Sequence, residues 1–299
     1  MGAKLSPFVY KIKGKKNYLL VDLLRRRLFK ITPEGDPYQL EKQLVEKKLA
    51  IETNGVIPLK FKLEVPHKKE LIIRELQVRI TGKCSLECND CGEICGCFKG
   101  EQDMPGDILN MLGEQMKAVP LGLVMIVGGN PLTRMDLLKL LREQIQAGEY
   151  RVLLKNIAPA RAEQQILKDL GITVAASLHG DFTISPESMS IDPYLFFYRH
   201  EFNPCWGNQI AVDVQGDIKA CLWSDEILGN IKKNNIKDMV FSKKFDKSWE
   251  LTKEQFEVCR DCEYRYVCPD CRVKTLKETG SIYSKTSYCT YDPGTGEWR

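Results

Sequence analysis

Residues 77–91 read Gln77-Val-Arg-Ile-Thr-Gly-Lys-Cys84-Ser-Leu-Glu-Cys88-Asn-Asp-Cys91. The opening residues alternate polar and apolar, the period of a strand, and Gly82 ends the run. Three cysteines follow with Cys-x3-Cys-x2-Cys spacing. Three thiolates this close can bind three irons of a 4Fe–4S cube and leave the fourth iron open to a substrate or cofactor. Zinc is the alternative: it usually takes four protein ligands, and Cys95 or Cys97 could supply the fourth. A loop after a strand is where an α/β protein usually places its chemistry.

Outward from this stretch the pattern alternates between strand and helix. Strands are expected at 72–80, 123–127, 151–157 and 172–178, and helices at 108–119, 135–147 and 161–170. Repeated β-α units predict a parallel sheet with helices outside, open or closed into a partial barrel. Four strands before Pro186 make a short one, and residues 194–198 are expected to add a degenerate last strand. The second strand runs into Val127-Gly128-Gly129-Asn130-Pro131, the third into Lys155-Asn156, and the fourth into Ala176-Ser177-Leu178-His179-Gly180-Asp181.

Residues 1–66 read as a small α+β, winged-helix-like module. It has a hairpin over 7–31 around Gly14-Lys-Lys-Asn17, a helix over 37–49, and a second hairpin over 51–63 around Thr53-Asn54-Gly55. This module holds 14 Lys and Arg against 7 Asp and Glu, so it is expected to meet something acidic. The whole chain carries only +4, too little to argue for nucleic acid.

Beyond residue 203 a hairpin is expected over 210–222, then a Lys-rich helical connector over 231–255 and a loop-rich tail. Seven of the 12 cysteines fall here: Cys205, Cys221, Cys259, Cys262, Cys268, Cys271 and Cys289. A tail with so little apolar periodicity must be held by something other than a core, and metal is the obvious staple. No run approaches the roughly 18 apolar residues that span a bilayer, and the N-terminus has no signal-like apolar stretch. Metal ligation in the cytoplasm is therefore expected rather than a disulfide framework.

The cysteine triplet, the Gly-Gly tip of the second strand and the Ser177 tip of the fourth resemble the radical S-adenosylmethionine (SAM) enzymes. The tail, Cys205-x10-Gly216-x4-Cys221, Cys259-x2-Cys262-x5-Cys268-x2-Cys271 and Cys289, closely resembles the SPASM extension of radical SAM peptide maturases. The resemblance implies a shortened partial (β/α) barrel over 67–200 and a SPASM-type Fe–S domain over 201–299. It implies a 4Fe–4S cluster on Cys84, Cys88 and Cys91 with SAM on its open iron. Gly128, Gly129, Asn130 and Pro131 would lie at the methionine amino group and Ser177 near the ribose. Cys259, Cys262, Cys268 and Cys289 would hold one auxiliary cluster; Cys205, Cys221 and Cys271 would hold another, one ligand short, with His200 a candidate to close it.

Three departures from the family pattern stand out. Asn130 replaces the usual Glu and removes the charge-assisted part of that hydrogen bond. The last close cysteine pair is separated by two residues where the family has three, and the barrel is short. The implied activity is reductive SAM cleavage to methionine and a 5′-deoxyadenosyl radical, which abstracts hydrogen from a ribosomally made precursor peptide. The product would be a thioether, a carbon–carbon crosslink or an epimer. The implied partners are that peptide and an electron donor such as flavodoxin or ferredoxin. Residues 1–66 resemble, loosely, the leader-recognition element of peptide-modifying enzymes, where a peptide adds a strand to a sheet edge. Two other readings remain: a catalytically degenerate Fe–S partner of another modifying enzyme, and a double zinc ribbon in the tail.

Overall fold

Strand Ile73–Thr81 lies at the centre of a seven-stranded sheet. The computed structural model describes residues 2–33, 36–53, 59–65, 72–84, 100–117, 119–154, 157–175 and 183–299. On one side of Ile73–Thr81 come Leu121–Gly128, Glu149–Leu153 and Ile172–Ala175, all parallel. The β-α periodicity accounts for this half. Strands buried on both faces read as continuous apolar runs, and Val124, Ile126 and Val127 are fully buried. Helix Gly106–Met116 buries Ile108, Leu109, Leu112 and Met116, and helix Met135–Gln144 buries Leu137, Leu138 and Leu141. Helix Arg161–Asp169 buries only Leu167.

The other side was not anticipated. Gln209–Val212 pairs parallel with Ile73–Thr81, and Asp217–Lys219 and Gly229–Asn230 extend the sheet antiparallel beyond it. The expected hairpin over 210–222 is present, and it joins the main sheet.

A second correction concerns residues 194–198, which are helical within Pro193–Glu201. Aromatic residues favour strands, but local capping wins here. Asp192 accepts a hydrogen bond from the Leu195 amide at 2.9 Å, and Pro193 starts the helix with its backbone preset. Phe196, Phe197 and Tyr198 are buried.

In the N-terminal region, Val9–Lys13, Tyr18–Asp22 and Arg27–Ile31 form a three-stranded antiparallel sheet, followed by helix Pro37–Glu46. The second hairpin is corrected. Ala50–Thr53 pairs with Gly2–Leu5 at the N-terminus, and residues 59–65 form no strand. Leu5 packs on the small core of Val9, Leu20 and Leu49, which draws the segment after Leu49 alongside it. Its turn, at 54–58, lies outside the described residues.

The chain divides into two compact units. One holds residues 66–181 and 205–251; the other holds 1–65, 182–204 and 252–299. Among the described residues no helix is long and apolar enough to cross a membrane. No disulfide links the described cysteines.

Candidate iron–sulfur and SAM sites

In the sheet unit, two strand tips are tied together at the start of the cysteine loop. Gly129 donates to the Thr81 carbonyl at 2.9 Å and Asn130 to the Lys83 carbonyl at 2.7 Å. Gly82 donates to the Gln102 carbonyl at 2.7 Å and receives the Gly100 amide at 2.6 Å. This backbone-to-backbone contact requires glycine. A Cβ on Gly129 would stand 2.5 Å from both the Gly82 and the Lys83 carbonyl oxygens. Cys84 is therefore held one residue beyond a lock between adjacent parallel strands. Cys88 and Cys91, with Cys95, Cys97, Ser177, Lys155 and Asn156, lie outside the described residues.

The Asn130 side chain has work of its own, because its Oδ1 accepts from the Leu132 amide at 3.1 Å and caps the short helix Pro131–Arg134. Beside it lies a charged network that sequence reasoning missed. Asp103 receives Thr81 Oγ1 at 2.5 Å, Lys83 Nζ at 2.8 Å and Arg134 at 2.7 Å, while Arg134 also binds Asp136. Burial works to raise the Asp103 carboxyl, but the bonds from Lys83, Thr81 and Arg134 outweigh it and hold it below its ordinary value. These residues come from the end of strand Ile73–Thr81, the segment before helix Gly106–Met116 and the turn into helix Met135–Gln144, and share no motif.

In the other unit, Cys259, Cys262, Cys268 and Cys289 line one cavity. Among the described residues, no three His, Cys, Asp or Glu side chains converge to hold a single metal ion. The four thiols thus surround a space rather than a point. Tyr264, Tyr291 and Trp298 form an aromatic wall, with Tyr264 and Tyr291 edge to face at 5.0 Å and Tyr291 and Trp298 at 4.8 Å. Burial pushes the Cys259 and Cys289 thiols up, and Cys262 well up. A thiol raised by burial stays protonated until a metal replaces the proton. The donor set and the aromatic wall fit an iron–sulfur cluster.

Cys271 is buried but does not line this cavity; it begins helix Arg272–Thr279. Cys205 and Cys221 belong to the sheet unit, on either side of strands Gln209–Val212 and Asp217–Lys219, where the Cys205 carbonyl receives Arg74 at 2.7 Å. His200 stacks on Tyr266 at 3.6 Å, and its Nδ1 lies 2.8 Å from the Phe196 carbonyl.

The N-terminal sheet supports the cysteine tail directly. The Lys15 amide donates to the Asp261 carbonyl at 2.8 Å, Arg265 donates to the Lys13 carbonyl at 2.9 Å, and Lys30 to the Gly296 carbonyl at 2.8 Å. Gly14 packs against Glu263, which is fully buried and accepts the Tyr291 hydroxyl. A Cβ on Gly14 would stand 3.0 Å from the Glu263 amide nitrogen and closer still to its carboxylate. Gly14→Val is expected to destabilise the protein by about 1–3 kcal/mol through overpacking. Thermal unfolding with iron analysis checks this, and wild-type values for both would contradict the contact's importance.

The cysteine geometry meets an independent match at this point. A family model for the SPASM iron–sulfur cluster-binding domain matches residues 205–263. Over those residues the chain is similar to the SPASM domain. The match includes Cys205, Cys221, Cys259 and Cys262 and ends before Cys268, Cys271 and Cys289.

Among solved structures, Streptococcus suis SuiB is similar at 12% identity and a TM-score of 0.49, over 96% of this chain and 99% of that one. BtrN in complex with AdoMet and 2-DOIA is similar at 16% identity and a TM-score of 0.45, over 71% and 98%. Native anSMEcpe with bound AdoMet and Cp18Cys peptide is similar at 12% identity and a TM-score of 0.46, over 72% and 93%. Each likeness is loose, and none assigns an activity to this chain. A search of curated proteins gave no match.

Proposed function

We propose that this chain is a radical SAM enzyme that modifies a ribosomally made precursor peptide, with Cys84, Cys88 and Cys91 holding the SAM-binding 4Fe–4S cluster. The backbone lock between Gly82–Lys83 and Gly128–Gly129–Asn130 carries the reading, because it fixes the residues just before the first cysteine against the glycine tip of the neighbouring strand. When bound, such a cluster supplies the electron that splits SAM into methionine and a 5′-deoxyadenosyl radical, which abstracts hydrogen from the peptide. The chain's own part is to seat and orient. Gly128 and Gly129 let the two strand tips close on each other, Asn130 and Pro131 would border the methionine end, and Ser177 would face the ribose. Cys259, Cys262, Cys268 and Cys289 would hold an auxiliary cluster behind the aromatic wall. An electron donor of the flavodoxin or ferredoxin kind would reduce the protein.

The peptide reading has support in the N-terminal region. Arg27–Ile31 is an edge strand of the three-stranded sheet. Beside it runs a groove lined by Phe29, Ile31, Leu40 and Leu44, with Lys30, Lys47 and one acid, Asp36, in its wall. An extended leader peptide with acidic and apolar side chains suits an open edge, an apolar floor and basic walls. Leu40→Asp together with Lys47→Glu is expected to weaken binding of a precursor encoded beside this gene about tenfold, roughly 1.4 kcal/mol. Fluorescence anisotropy measures it, and unchanged affinity would remove the leader assignment.

The main test is anaerobic. Purified protein should be brown, contain iron, and release 5′-deoxyadenosine from SAM once reduced; zinc without iron would sink the proposal. A second reading, an Fe–S partner protein without turnover, is favoured by one observation: the Asn130 side-chain oxygen Oδ1 already accepts from the Leu132 amide. Iron-loaded protein that forms no 5′-deoxyadenosine with any reductant would establish that reading instead.

A further inference from the structure

The wall of the four-cysteine cavity contains a charge imbalance. Lys253, Arg265, Lys285 and Asp270 line the cavity together with the cysteines; Arg265 is paired with Glu254 at 2.7 Å and Lys285 donates to the Cys289 carbonyl, so Lys253 is the cation of this lining that is both buried and paired to Asp270. Their side chains are 4% and 2% exposed, and that of Arg272 is 1% exposed. Asp270 is ion-paired with both Lys253 and Arg272. Arg272 has further fixed partners: the Ile282 carbonyl at 2.9 Å, the Ser284 carbonyl at 2.8 Å and Thr275 Oγ1 at 3.0 Å. Its guanidinium lies 4.2 Å from the centre of the Phe256 ring.

Two cations thus share one carboxylate, all three removed from water. A net positive charge in such a place is costly unless an anion meets it. Among the described residues lining the cavity, Asp270 is the one carboxylate. Four thiolates around a 4Fe–4S core form an anionic assembly, and the cavity that would hold it is the space this charge faces.

We propose that Lys253 is the charge partner of the cluster held by Cys259, Cys262, Cys268 and Cys289, and that Asp270 sets how much of that charge the cluster feels. The inference rests on the auxiliary-cluster assignment made above. One-electron reduction adds a negative charge in a low-dielectric site, so a nearby buried cation favours the reduced form and raises the potential. Lys253 and Asp270 are positioning residues here; neither would ligate iron.

The test uses the full-length chain with Cys84, Cys88, Cys91, Cys205 and Cys221 replaced by Ala, so that no other cluster contributes to the spectra. Iron is quantified, and reduction is followed by electron paramagnetic resonance during a redox titration. Lys253→Met leaves a neutral Asp270–Arg272 pair and is expected to lower the midpoint by at least a tenfold change in the reduction equilibrium, 59 mV for one electron. Asp270→Asn leaves two cations and is expected to move the midpoint the opposite way. Lys253→Arg keeps the charge and should leave it in place; if Lys253→Met does not fold, a raised midpoint in Asp270→Asn beside an unmoved one in Lys253→Arg carries the test. Iron retained with no shift, or with the same direction of shift in both charge variants, overturns the inference while the cluster assignment stands. Loss of no iron when Cys262 and Cys268 are replaced overturns the cluster assignment itself.

Discussion

Replacing Gly129 with alanine is expected to slow SAM cleavage about a hundredfold while the tail cluster stays loaded. The added Cβ would meet the Gly82 and Lys83 carbonyl oxygens at 2.5 Å and the Lys83 carbonyl carbon at 2.7 Å. All three are main-chain atoms, so no side chain can swing aside. Relief requires breaking the bonds from Gly129 to Thr81 and from Asn130 to Lys83, which tie the two strand tips together. Overpacking of this kind costs about 1–3 kcal/mol in stability. The larger effect is on activity, because a displacement of roughly 1 Å at a reacting centre can cost about a hundredfold in rate. Gly106→Ala is the matched control, since a Cβ there meets nothing within 4 Å. The assay is 5′-deoxyadenosine formation per cluster, with iron content and thermal unfolding beside it. Wild-type turnover in Gly129→Ala would refute the placement of the SAM seat at this tip.

Replacing Cys262 with alanine is expected to remove one whole cluster, about four iron atoms of roughly twelve if three 4Fe–4S clusters are present. Cys262 is one of four cysteines around the cavity, and nothing else in that wall offers a thiolate in its place. The loss should extend beyond iron. The tail from 252 to 299 has two-residue strands, short helices and turns, with the eight-residue helix Arg272–Thr279 its longest element. Where so little secondary structure surrounds a metal, binding free energy becomes folding free energy. Limited proteolysis should therefore cut the tail of Cys262→Ala faster than that of the wild type. The Lys15–Asp261 and Arg265–Lys13 bonds predict that the N-terminal sheet loosens with it. An unchanged iron count would sink the assignment of this cavity.

Much of this was legible in the residues. The alternation at 72–81 and the helical periods at 108–119 and 135–147 are local, and each appears in the structure as a strand or helix of nearly that extent. The spacing of Cys259, Cys262 and Cys268 singled out the tail as a metal site before any fold was known, and the SPASM match covers its beginning. The misreadings were of a different kind. Residues 194–198 have strand-like composition, but one capping carboxylate and one proline at 192–193 turned them helical. The pairing of Ala50–Thr53 with Gly2–Leu5 joins segments some fifty residues apart, and nothing in either names the other.

By itself the sequence determined the kind of protein this is: β-α units with a cysteine triplet at the first strand's end, and a cysteine-ordered tail. Period and ligand spacing are properties of short stretches, so they survive without coordinates. Only the tertiary structure decided what surrounds the cysteines. It set a bare glycine tip against the backbone before Cys84, gathered Cys289 with Cys259, Cys262 and Cys268 across thirty residues, and left Lys253, Asp270 and Arg272 buried with one charge unmatched. Those relations depend on which segments meet, and chain closure over such distances is settled by packing rather than by any local pattern.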